Sequence, residues 1–124
     1  MIDLTNARRA QAGCPALTAD ARLAAAARGH SADMAANGCF SHTSRDGRTP
    51  WDRIVATGYR FTSAAENIAA GQRTADEVVT AWMASPGHRA NILNCSLRQT
   101  GVGLATGPAG TYGTYWTQDF ATPR

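Results

Sequence analysis

Up to Cys95 the apolar residues recur mostly at helical spacing, and beyond it the pattern changes to that of strands. The polar, Ala/Arg-rich stretch from Asp3 to Ala12 reads as a first helix, closed by Gly13 in the left-handed position that glycine takes most easily. A second helix follows with Thr18 as its cap and Leu23, Ala27, His30 and Met34 on its apolar stripe, and it stops at Asn37-Gly38. Cys39 to Arg48 is a polar loop. Thr49 and Pro50 then open a short helix with Trp51, Ile54 and Val55 turned inward, and Gly58 ends it. Tyr59 to Ala65 is irregular or a short strand, and Asn67 to Ala70 reads as a brief buried strand ending at Gly71. Thr74 and Glu77 form a capping box for a helix that buries Val78, Val79, Trp82 and Met83. Ser85-Pro86 ends that helix and caps another through Leu93. Gly101 to Thr106 and Tyr112 to Phe120 are the strands of an antiparallel hairpin around the turn Gly107-Pro108-Ala109-Gly110. Helices first and strands last predict an α+β domain with helices packed on an antiparallel sheet.

At 124 residues the chain suits one domain over its whole length, 1–124, and at 44% hydrophobic and 17% charged residues it has the composition of a folded protein. The net charge of +3 is carried by 12 arginines, with no lysine anywhere. They are scattered from Arg8 to Arg124, without the clusters that a nucleic-acid partner calls for, so none is expected. Without lysine, Schiff-base chemistry and a P-loop are excluded. The longest uncharged stretch, Gln99 to Gln118, is broken by glycines and Pro108, so no membrane span is expected. Asp3 to Gln11 is polar where the apolar core of a signal peptide would lie, so a leader was either removed or never present. Three cysteines, Cys14, Cys39 and Cys95, show no zinc-binding spacing, and any one disulfide leaves one of them unpaired.

The candidate chemistry rests on scarce residues. Gly101-Val102-Gly103 has the wrong spacing for a nucleotide loop and lies in a strand that feeds no helix. His30 falls on the apolar stripe of the second helix and reads as a buried, hydrogen-bonded core residue, and Glu77 is accounted for by its cap. His42, in a polar loop, and His88, in the first turn of a helix, have no such structural job. A helix N-terminus disfavours positive charge, so His88 tends to the neutral imidazole that binds a metal or acts as a base. Glu66 borders a buried strand, where a lone acid needs a cation, a metal or several donors, and a plain salt bridge to an arginine is its structural reading.

Four segments, taken in order, resemble the signatures of a known family: Phe40-Ser41-His42, Ala65-Glu66-Asn67-Ile68-Ala69, Trp82 to Leu93, and Tyr115-Trp116-Thr117-Gln118-Asp119-Phe120. Together they are similar to the CAP domain of cysteine-rich secretory proteins, antigen 5 and pathogenesis-related proteins, and most of all to its bacterial secreted branch. The resemblance implies an α-β-α sandwich with a central antiparallel sheet between helical layers, and secretion to the extracellular side. It places His42, Glu66 and His88 at three positions of the family's cleft tetrad, whose two histidines bind a divalent metal in some members. It also implies a Cys14–Cys95 disulfide with Cys39 free. Two departures stand out: Ala65 replaces the usual glycine, and the fourth tetrad position, an acid in many animal members, falls near Ser85.

The expectation is therefore a monomeric secreted domain in which His42 and His88, assisted by Glu66, hold a divalent cation, zinc first, or a polar ligand. Glu66 either completes the ligand set or only orients a histidine. The rival readings are hydrolysis of a peptide or ester bond with His42, Glu66 and His88 as catalytic residues, and a binding module for a small molecule, lipid, sterol, glycan or peptide. Replacing an acid by Ser85 weakens both the cation site and the hydrolytic reading.

Overall fold

The computed structural model describes residues 1–107 and 112–124. Its elements are α1 (Ile2–Gln11), β1 (Thr18–Ala19), α2 (Ala21–Asn37), α3 (Pro50–Ala56), β2 (Phe61–Ala70), α4 (Ala75–Met83), α5 (Pro86–Ile92), β3 (Gln99–Thr106) and β4 (Thr114–Pro123). The sheet order is β1-β3-β4-β2, and the β3–β4 and β4–β2 pairs are antiparallel. The two-residue β1 runs parallel to β3, an edge that the expectation of a purely antiparallel sheet lacked.

Strand periodicity explains the layers. Tyr115, Thr117, Asp119 and Ala121 of β4 face one way, where Tyr115 packs with Met34 and Ile68, and Ala121 with Leu23 and Ile54. Trp116 and Phe120 face the other way and join Val78, Trp82 and Ile92. Helices α2 and α3 thus cover one face, and α1, α4 and α5 the other, giving the α-β-α sandwich. Gly101 and Gly103 have a packing role: a Cβ at either would run into the α2 backbone at Leu23-Ala24 or Ala27-Arg28. The disulfide joins Cys14, after α1, to Cys95, before β3, across 81 positions. Cys39 is free and exposed.

Several local expectations need correction. Asp20 caps α2, accepting from Arg22 N at 2.8 Å and Leu23 N at 3.2 Å, because Thr18 and Ala19 are drawn into pairing with Gln99 and Thr100. Trp51 and Val55 are exposed, since α3 turns the Pro50, Arg53 and Ile54 face inward. Strand β2 is ten residues long, and polar Thr62, Ser63 and Glu66 hid most of it from a pattern search. In the Thr74 cap the expected reciprocal bond is diverted, Glu77 accepting from Arg73 N at 3.0 Å. Ser85 makes no side-chain cap bond to α5. Of the hairpin turn, Pro108 to Gly110 lies outside the described residues, and the second strand is shifted to Thr114–Pro123.

Candidate functional site

Strand β2 is the last strand of the sheet, so one of its edges has no strand partner. Its centre, Ala64-Ala65-Glu66-Asn67, has small side chains before the acid, which lets the 38–49 loop approach from the α2 side and α5 from the opposite side. Glu66 points toward the α2 layer with its side chain only 1% exposed. Arg53 Nη2 donates to both of its oxygens, at 2.9 and 2.7 Å, in a charge-assisted pair. The other terminal nitrogen of Arg53 donates to His42 O, Ser44 Oγ and Arg48 O at 2.8, 2.8 and 3.2 Å, so the same guanidinium also pins the loop that carries His42.

His42 Nδ1 donates to Glu66 Oε1 at 3.0 Å. The carboxylate thereby fixes the tautomer and leaves Nε2 with its lone pair, on a side chain that is half exposed. Directly opposite Glu66 on β4 stands Asp119, fully buried. Burial first, and then the neighbouring Glu66, raise the Asp119 carboxyl well above the usual range, so it keeps its proton. For Glu66, burial pushes the other way, but hydrogen bonds from His42 and Arg53 and the Arg53 charge prevail and hold it at about 2. Glu66 is thus a permanent carboxylate whose oxygens are already taken.

His30 is fully buried, as expected of a core residue, and donates from Nε2 to Ser41 O at 2.7 Å. It also lies 3.9 Å from Glu66 Oε1, a proximity its helical spacing gave no sign of. Burial lowers its pKa and keeps it neutral, the nearby Glu66 charge notwithstanding. His88 sits on α5, where Nδ1 lies 2.9 Å from Ser85 Oγ and the ring stacks on Trp82 at 6.2 Å between centroids. Burial lowers its pKa, with a further contribution from the charge of His42. Asn67 donates to His88 O at 3.1 Å, and Asn91 donates to Asn67 Oδ1 at 2.8 Å and Glu66 O at 3.3 Å, tying α5 to the strand.

A cavity of about 400 Å³ opens here, lined by His42, Thr43, Trp51, Ala64, Glu66 and Asn91 among others. A second hollow of about 350 Å³, on the outer side of α5, is lined by Met83, Pro86, Leu93 and Arg89 and holds none of this chemistry. Sequence reading missed Arg53 and Asp119. Arg53 shares the i, i+3, i+4 face of Pro50 and Ile54, a charge on an apolar stripe that could have been noticed. Asp119 stood inside a quoted motif with no signal that it meets Glu66.

The donor set is not that of a closed metal centre. Among the described residues, no three His, Cys, Asp or Glu side chains come together as ligands. With Glu66 committed, His42 Nε2 and His88 Nε2 remain, and two imidazoles leave most of a cation's coordination positions open.

A sandwich of this layering, with His42 bonded to Glu66 at the sheet edge and the His88 backbone tied to Asn67 of the same strand, is that of a CAP-type module. The chain belongs to that family: residues 2–120 match CAP, the cysteine-rich secretory protein family. It is 42% identical over 120 residues to the protein YkwD of Bacillus subtilis, covering 97% of this chain and 45% of that one. An extracellular protein of Bacillus anthracis containing an SCP domain is 37% identical with a TM-score of 0.87, covering 98% of this chain and 38% of that one. An outer surface protein of Borrelia burgdorferi shares the fold at a TM-score of 0.89 and 22% identity, covering 99% and 90% of the two chains. The chain thus spans less than half the length of the two Bacillus proteins. Among the described residues no helix is long and apolar enough to cross a membrane.

Proposed function

We propose that this is an extracellular ligand-binding CAP domain whose cleft presents His42 Nε2 and His88 Nε2 to a divalent cation, zinc first, or to a polar group of a ligand. The observation that carries this reading is the His42–Glu66–Arg53 chain, which spends a buried ion pair on orienting one exposed imidazole. Glu66 acts from behind His42 as an orienting group, as carboxylates do behind metal-binding histidines. A bound cation would supply Lewis acidity and attract an oxygen ligand. The extracellular setting is supported by the disulfide and by the extracellular and outer-surface relatives.

Binding ranks ahead of hydrolysis. A carboxylate held at about 2 and chelated by an arginine is a poor general base near neutral pH, and Ser85 offers no second acid. Zinc titrated by calorimetry into the wild type and into a His42→Ala, His88→Ala double variant tests the proposal. Heat from the wild type that vanishes in the variant is expected; equal heats from both end it.

A further inference from the structure

The free edge of β2 is unusual in what it leaves unused. In an antiparallel strand, alternate residues turn both N–H and C=O away from the paired neighbour. Here the outward carbonyls belong to Ala64, Glu66 and Ile68, and each already has a side-chain donor. Trp51 Nε1 donates to Ala64 O at 3.3 Å, Asn91 Nδ2 to Glu66 O at 3.3 Å, and Trp82 Nε1 to Ile68 O at 3.0 Å. The outward N–H groups of the same residues have no hydrogen-bond partner among the described residues. The edge has its acceptors occupied and its donors open.

Resting on the reading of the cleft as a ligand site, we infer that the backbone N–H of Glu66, with that of Ala64 beside it, is a donor site for an acyl oxygen of the ligand, as in a carboxylate or an amide carbonyl. Three observations support it. Ala64 and Glu66 both line the cavity that holds His42. Glu66 as a residue is 6% exposed while its side chain is only 1% exposed, so the surface it shows is backbone. The Glu66 N–H lies along the edge between the carbonyls capped by Trp51 and Asn91, which flank it and exclude competing strand pairing. An added strand needs donors and acceptors in alternation, and this edge offers only donors. The same polarity excludes ammonium and guanidinium groups from this position. An oxygen bound here shares the cavity that His42 lines, so one acyl group can meet both the edge N–H and a cation held at His42.

The test is a titration of the metal-free, ¹⁵N-labelled protein in chelator, followed by amide NMR, with acetate as the carboxylate probe and N-methylacetamide as the neutral carbonyl probe. The expected result is a saturable downfield shift that is largest at the Glu66 amide and present at Ala64, with at least one probe; which probe acts tells a carboxylate ligand from an amide. Amides of Glu66 and Ala64 that stay fixed while either probe is raised to solubility overturn the inference, as does a shift that never saturates. Zinc added in a separate titration without chelator reads the imidazoles. Moving rings with fixed amides leave the cation proposal standing and remove this one, and the opposite pattern does the reverse.

Discussion

Two arginines are buried in this small domain, and they are buried for different reasons. Arg9 of α1 is fully inaccessible and meets only neutral oxygens: Pro15 O at 3.0 Å, Ile92 O at 2.8 Å, Asn94 O at 2.9 Å and Leu97 O at 2.9 Å. It gathers the segments that flank the Cys14–Cys95 bridge. Arg53 of α3 spends one nitrogen on loop oxygens and the other on the Glu66 carboxylate, behind a half-exposed histidine. At one pole the cation is a staple for orphan carbonyls, and at the other it holds a charge that orients a histidine. Burial of a charge alone did not separate these roles; the nature of the partner did.

The comparison can be attacked from its structural pole first. Replacing Cys14 and Cys95 by serine releases an 81-position loop, and urea unfolding should show a loss approaching about 4.5 kcal/mol by the chain-entropy argument. Arg53→Met leaves a buried carboxylate unpaired and should cost about 3–5 kcal/mol in the same assay. The sharper result is the double variant: Arg53→Met with Glu66→Gln should recover a large part of that loss, because no naked charge remains. A double variant no more stable than Arg53→Met alone would show that the guanidinium matters chiefly as a loop staple, like Arg9.

Smaller effects come from the cleft itself. Glu66→Gln weakens the group that orients His42, so zinc affinity by calorimetry should fall about 10–100-fold. Asp119→Asn should raise the urea midpoint at neutral pH. A carboxyl whose folded pKa is raised favours the fold below its unfolded value of about 3.9, and the fold loses that contribution as pH climbs through the raised value. The gain should therefore vanish in acid. His30 and His88 work in the other direction: lowered in the fold, they support stability above about pH 6.5 and withdraw that support as pH falls through their lowered values. Unfolding midpoints measured across that window should decline on acidification, and the decline should lessen in His88→Gln.

Much of the architecture was legible because helices announce themselves by period and caps: α1, α4 and α5 fall close to where the pattern puts them. The long strand β2 did not, since a buried ion network places polar residues where a core strand shows apolar ones. His42, Glu66 and His88 were picked out as scarce polar residues without a structural job, and the resemblance grouped them. Their division of labour was invisible, because it depends on Arg53 arriving from α3 and Asp119 from β4. Cross-strand register and the inward face of a seven-residue helix are tertiary facts that no local window contains.

The most direct measurement is a zinc titration at slightly alkaline pH read at the imidazole nitrogens of His42 and His88 by ¹⁵N NMR. If Glu66 aims His42 and does not bind the ion, Nε2 of both rings should shift on zinc addition while His42 Nδ1 keeps its proton throughout. A ring pair that ignores zinc, or a His42 Nδ1 that loses its proton to the metal, would contradict that division of labour.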